Sequence, residues 1–238
     1  DAWDIEAQER LKLANVLIVG AGGLGCLTAE LLARAGVGKI TIIDHDQIER
    51  SNLQRQVAFL PEHIGFYKAE TLAQRLQQIN PYIHVEYMNQ NIHVQNAHEL
   101  IQTQDLVLDG CDQFETRYLI NAVCCNTGVP LLSASAIGLE GQLFMVVDQS
   151  ACYHCIFPRH AAQSDEQLRC ANSGVLATTP NVMASLQAHH ALLYLGLNLT
   201  PLRQKLLLWN GLNMQQRIVS FQHDPDCPHC KVSCESSF

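Results

Sequence analysis

The segment from Val16 to Leu32 constrains this chain most: four apolar residues, Val16-Leu17-Ile18-Val19, run into Gly20-Ala21-Gly22-Gly23-Leu24-Gly25 and then into Leu27, Ala29, Leu31 and Leu32. This is a strand, a glycine turn of the G-x-G-x-x-G type and a helix. Without Cβ atoms the turn lets backbone N–H groups approach a phosphate, and the helix that follows offers unpaired donors and a positive dipole end. Residues 39–44 then read as a second parallel strand ending at Asp44, about twenty residues beyond the glycines, as a βαβ unit requires. An acidic group at that strand end suits two ribose hydroxyls. Up to this point a nicotinamide-dependent oxidoreductase fits.

The rest of the chain extends the same architecture. Helical spacing over 68–79 stops before Asn80-Pro81, residues 83–88 alternate as a strand, and 105–110 form a buried strand. Further expectations are a helix over 116–127, strands over 129–135 and 141–147, a largely apolar helix over 181–197, and two strands around Asn210-Gly211 within 205–221. The fold class is α/β, a doubly wound, Rossmann-like, mainly parallel sheet with antiparallel C-terminal strands. With 238 residues, 47% of them hydrophobic, one large domain is expected over 1–238, with residues 1–135 as its nucleotide-binding half and 136–238 as the other half.

The polar run that follows Asp44 breaks the oxidoreductase reading. Residues 44–56 carry Asn52, Arg55 and Gln56, and Lys68 follows some twelve residues later. A nicotinamide pocket is apolar, whereas converging cations beside a glycine turn suit a triphosphate. A Walker A loop is excluded, because Gly38-Lys39 is followed by Ile40 and has Ala33 where the first glycine belongs. A net charge of -8 argues against nucleic acid as a partner. No apolar run reaches the length of a membrane span, and no leader opens the sequence, so a cytoplasmic location is expected.

Ten cysteines in a reducing compartment serve metals, chemistry or packing. Cys26, Cys111, Cys124 and Cys125 lie in or beside apolar segments and read as core. Cys152-x-x-Cys155 and Cys227-x-x-Cys230 supply four thiolates, the donor set of a closed structural zinc site; a redox dithiol would leave the second pair unexplained. His154 and His229 inside the knuckles are then surplus to the shell. His189 and His190 read as ordinary helix residues.

Taken in order, Gly20 to Gly25, Asp44, Ser51-Asn52-Leu53-Gln54-Arg55-Gln56, Lys68, residues 109–117 and the paired cysteine knuckles resemble the MoeB/ThiF family of ubiquitin-activating-enzyme-like adenylyltransferases from about Ile5 to Cys230. The resemblance implies ATP-dependent activation of the C-terminal glycine of a MoaD- or ThiS-like sulfur-carrier protein as an acyl adenylate, for molybdopterin or thiamine synthesis. It implies that Gly20, Gly22, Gly23 and Gly25 line the phosphates, that Asp44 holds ribose, that Asn52, Arg55, Gln56 and Lys68 contact the nucleotide, and that Asp112 holds Mg²⁺. It also implies a homodimer, a carrier-binding role for the zinc-bearing half, a separate sulfur donor such as a cysteine desulfurase, and for Cys170 either a place in sulfur handling or carrier linkage or that of a spare thiol. Arg117 reads as a structural bridge to Asp109 or Asp112. Family members take an arginine from a segment before the glycine turn; Arg10, the one arginine there, falls after that place. A nicotinamide-dependent oxidoreductase of the same fold class and a non-catalytic, zinc-stapled carrier-binding scaffold are the alternatives.

Overall fold

A computed structural model describes residues 3–158 and 174–230. Its elements are α1 (Ile5–Leu13), β1 (Asn15–Val19), α2 (Gly25–Ala35), β2 (Lys39–Ile43), α3 (Lys68–Ile79), β3 (His84–Met88), α4 (Ala97–Ile101), β4 (Leu106–Asp109), α5 (Phe114–Thr127), β5 (Leu131–Ile137), β6 (Glu140–Val146), α6 (Tyr153–Ile156), α7 (Thr178–Leu197), β7 (Lys205–Asn210) and β8 (Gln215–Ser220). The strands form one eight-stranded sheet in the order β3-β2-β1-β4-β5-β6-β7-β8. Strands β3 to β5 run parallel, and β6, β7 and β8 complete the sheet antiparallel.

Apolar runs such as Val16–Val19, Ile40–Ile43 and Leu106–Leu108 are buried because helices cover both faces of the parallel half. Helices α2, α3 and α7 enclose one core with the sheet; α4, α5 and α6 help enclose the other. Helix α7 is apolar around much of its circumference because it lies between the sheet and helices α1 and α2. Among the described residues no helix is long and apolar enough to cross a membrane.

Sequence periodicity locates most of these elements to within a few residues. The final hairpin has a four-residue connection, Gly211 to Met214, between β7 and β8. Helix α1 carries too weak a pattern to be recognised, with only Ala7 and Leu11 buried. It is fixed by contacts distant in sequence: Arg10 Nε donates to the Gly196 carbonyl at 2.5 Å, and the Trp3 indole packs over the same glycine.

Candidate active site

The β1–α2 turn owes its shape to close backbone approach. A Cβ on Gly25 would stand 1.8 Å from the Gly20 carbonyl oxygen, and one on Gly20, at φ +94°, 3.0 Å from the Gly110 oxygen. Gly22 and Gly23 instead border the open side. A Cβ on Gly22 would meet only Gln56 Nε2, at 3.9 Å. Leu24 precedes α2 without a side-chain cap, so the first N–H groups of that helix keep their donor capacity beside the turn.

The turn opens on a cleft of about 760 Å³ at the carboxyl ends of the parallel strands, where ligands bind in doubly wound sheets. Gly20, Gly22, Gly23, Asp44, Arg55, Gln56, Lys68 and Asp112 all line it. Of the residues expected there, Gly25 and Asn52 stand behind its wall. Asn52 is buried and uses Oδ1 to accept the Glu49 N–H at 3.0 Å, closing the short turn that presents Arg55 and Gln56.

Asp44, at the end of β2, accepts N–H groups from Ala21 (2.6 Å) and Asp46 (2.8 Å). Burial pushes its carboxyl above the ordinary range, against these two donors and the charge of Lys68. Lys68 begins α3 and sends Nζ to Asp46 Oδ2 at 2.6 Å; the lysine side chain is 8% exposed, the aspartate 49%. Asp46 was not legible as a site residue, because only the folded β2–α3 connection sets it against Lys68. Arg55 Nη1 donates to the Ser51 carbonyl at 3.1 Å. Gln56 is buried, and its Oε1 has no hydrogen-bond partner among the described residues.

On the facing side Asp112 is exposed to the cleft. It does not cap α5, whose N-cap is Gln113. The loop that carries it is built on Asp109, which is 1% exposed and accepts from Ser133 Oγ (2.5 Å) and the Cys111 N–H (3.0 Å). Arg117 braces this loop through the carbonyls of Cys111 (2.5 Å) and Ala134 (3.1 Å), with Asp109 Oδ2 at 3.8 Å from Nε, as a structural bridge should. Gln187 supports it from below: fully buried, it donates to the carbonyls of Asp109 (2.8 Å) and Leu132 (3.0 Å) and accepts from Thr28 Oγ1 (2.9 Å). An amide inside an apolar helix gives no sequence signal for such a role.

The cleft continues along β5 and β6, past Ser135, Ala136, Ile137 and Gly141, towards Tyr153 and Phe157. Beyond these aromatic residues the two cysteine knuckles meet. The sulfurs of Cys152, Cys155, Cys227 and Cys230 are separated by 3.3–4.0 Å in the four pairs 152–155, 152–227, 155–230 and 227–230. Tetrahedral zinc with Zn–S bonds of about 2.3 Å requires about 3.8 Å between sulfurs, so the cluster can hold a metal ion. His154 and His229 stack edge to face beside it, at 5.4 Å between ring centroids.

The other cysteines divide. Cys26 and Cys124 are core residues, and burial pushes the Cys26 thiol up to about 11. Cys111 lines the cleft with its thiol donating to Asp109 Oδ1 at 2.8 Å, and Cys125 packs beside the four-sulfur cluster. Cys170 lies outside the described residues. Arg10, occupied with Gly196, takes no part in lining this cleft.

Comparison with known proteins agrees with this geometry. The chain is 38% identical over 225 residues to the SAMP-activating enzyme E1 of Haloferax volcanii, covering 94% of this chain and 83% of that one. It is 38% identical to the sulfur carrier protein adenylyltransferase of Thermus thermophilus (94% and 85% covered), and 36% to the molybdopterin-synthase adenylyltransferase of Escherichia coli (96% and 91% covered). The crystal structure of E. coli MccB with ATP superposes with a TM-score of 0.84 at 26% identity, over 95% of this chain and 69% of that one. The model of the ThiF family matches residues 1–230. With its glycine turn, cleft and paired knuckles in that order, the chain belongs to the ThiF family.

Proposed function

We propose that this protein transfers AMP from ATP to the C-terminal glycine of a ubiquitin-like sulfur-carrier protein, MoaD- or ThiS-like with a Gly-Gly tail, and releases pyrophosphate. The observation that carries this reading is the convergence of a glycine turn, Arg55, Lys68 and Asp112 on one cleft that runs on into a trough along β5 and β6. The trough gives an extended peptide tail a path towards the turn. Relatives named sulfur carrier protein adenylyltransferase and molybdopterin-synthase adenylyltransferase support the same reading.

In this reaction a carboxylate oxygen of the carrier attacks the α-phosphorus of ATP, the bond from that phosphorus to the β-phosphate bridging oxygen breaks, and pyrophosphate leaves. The nucleophile is already ionised, so the chain has no proton to remove. What it supplies is position and compensation of negative charge. Gly20, Gly22 and Gly23 present the backbone to the phosphates, with Gly25 making the tight turn possible; Asp44 holds the ribose hydroxyls. Arg55 and Lys68 neutralise phosphate oxygens, Gln56 adds an amide, and Asn52 keeps the turn that presents them. Mg²⁺, when bound, offsets phosphate charge, with Asp112 as its protein ligand. Zn²⁺ in the four-thiolate cluster is structural, because a closed sulfur shell leaves no position for substrate.

The half from 136 to 238 receives the carrier: β8 is exposed along its length, and Leu212, Met214 and Ile218 give the final hairpin an apolar outer surface. The working form is a cytoplasmic homodimer, and the sulfur comes from a separate donor such as a cysteine desulfurase. Cys170 acts only after adenylation, if its thiolate attacks the activated glycine, so Cys170→Ser keeps adenylation and loses sulfur transfer. Carrier-dependent exchange of labelled pyrophosphate into ATP tests the proposal. A nicotinamide oxidoreductase or a non-catalytic scaffold gives no exchange, and its absence with both MoaD-like and ThiS-like carriers would overturn the assignment.

A further inference from the structure

Asn121 stands in the middle of α5, fully buried, and both ends of its amide reach the first cysteine knuckle, with the Cys125 thiol also directed at its oxygen at 3.9 Å. Its Oδ1 accepts the Tyr153 N–H at 2.9 Å, and its Nδ2 reaches Cys152 Sγ at 3.5 Å. The orientation follows from chemistry: a backbone N–H can only donate, so the carbonyl oxygen must face Tyr153 and the amide N–H must face the sulfur. Cys152 is itself fully buried. A thiolate there is cut off from water and needs a local donor to offset its charge. The half-exposed Cys155 has one in the Asp224 N–H, at 3.4 Å.

We propose that Asn121 is the positioning residue of the four-sulfur centre, fixing Cys152 Sγ through an N–H···S hydrogen bond and joining the centre to the nucleotide cleft through α5. This rests on the reading of the cluster as a metal site. The link to the cleft is direct, because Arg117 lies one helical turn earlier on α5 and holds the Cys111 and Ala134 carbonyls. One helix thus carries the brace of the Asp112 loop and two side chains set against the buried sulfur, the Asn121 amide and the Cys125 thiol. Partners of this kind, bonded to a ligand rather than to the metal, set ligand orientation and typically change metal affinity about 10- to 100-fold when removed.

The decisive variant is Asn121→Asp, which keeps an acceptor for the Tyr153 N–H and loses the donor to sulfur; Asn121→Ser removes both bonds with little bulk. Wild type and variants, as full chains, are compared for Zn²⁺ affinity by chelator competition and for the sulfur-to-metal charge-transfer band of the Co²⁺ form, with circular dichroism reporting the fold. Wild type should bind one ion per chain. Asn121→Asp should bind about 10- to 100-fold more weakly, and its band should move to longer wavelength, because a thiolate lone pair without its hydrogen bond lies higher in energy. Asn121→Ser should weaken binding at least as much. A folded variant with unchanged affinity and an unchanged band would refute the role of Asn121 while leaving the metal site standing. A wild-type chain that binds no ion would overturn the metal site and the proposal together. Variants that stay unfolded with saturating metal would make Asn121 a core residue and likewise refute it.

Discussion

Lys68 Nζ lies 2.6 Å from Asp46 Oδ2 at the rim of the cleft, with the lysine side chain buried and the carboxylate half open to solvent. The pair holds a cation beside the glycine turn while keeping it from an uncompensated burial. For an incoming triphosphate this ammonium is a preset charge, and removing such a charge from a phosphoryl transfer costs on the order of a hundredfold in rate. Lys68→Ala and Arg55→Ala are each expected to lower pyrophosphate exchange by about that factor or more, with unchanged circular dichroism. Near-normal exchange by a folded Arg55→Ala protein would remove the guanidinium from the mechanism.

The glycines of the turn divide into two kinds, and their alanine variants should fail differently. Gly25→Ala drives a methyl group to within 1.8 Å of the Gly20 carbonyl oxygen, a contact that only backbone movement relieves. A loss on the order of 3 kcal/mol is expected, seen as a fall in Tm of roughly 6–12 °C for a chain of this size. Gly22→Ala meets nothing closer than Gln56 Nε2 at 3.9 Å, so it should keep its Tm and raise the KM for ATP. Equal Tm losses in both variants would mean that Gly22 shapes the turn rather than faces the ligand.

How much of this was legible in the sequence depends on the range of the contact. The βαβ unit was readable because apolar strands, glycines and Asp44 follow one another within thirty residues and obey local rules. The cations of the cleft and the cysteine knuckles were readable from order and spacing. Asn52 was expected to contact the nucleotide, but its place behind the wall depends on a turn closed by its own side chain onto Glu49. Gln187 was invisible, since the hydroxyl it accepts from belongs to Thr28, 159 residues away, and an amide among alanines and leucines has no pattern of its own. Helix α1 was missed for the same reason, its anchorage being a hydrogen bond across 186 residues.

The four-sulfur centre should matter most to the end of the chain. Residues 221–230 contain no helix or strand and are tied to α6 through the knuckles. Cys152→Ser or Cys230→Ser should therefore lose bound zinc and expose this segment to limited proteolysis, and chelation of the wild type should do the same. Zinc-free protein that resists both protease and heat as well as the untreated sample would show that packing alone holds the segment.

The last prediction concerns acid. Glu30 of α2 receives Arg34 Nη2 at 2.8 Å and Arg75 Nε, from α3, at 2.9 Å, with its side chain 10% exposed. Burial works to raise its carboxyl, but the hydrogen bonds and charges of the two arginines prevail and hold it below the ordinary carboxylate range of 4.5. The sign follows: a carboxyl lowered on folding contributes stability that is complete above its unfolded pKa and is lost as pH falls through the folded value. Urea unfolding of wild type and Glu30→Gln should differ at pH 7, with the variant less stable. The gap should narrow as pH falls below about 4.5, because protonation then removes from the wild type the charge that the substitution removed from the variant. A gap that stays constant into acid would mean that the arginines pack against Glu30 without being held by its charge.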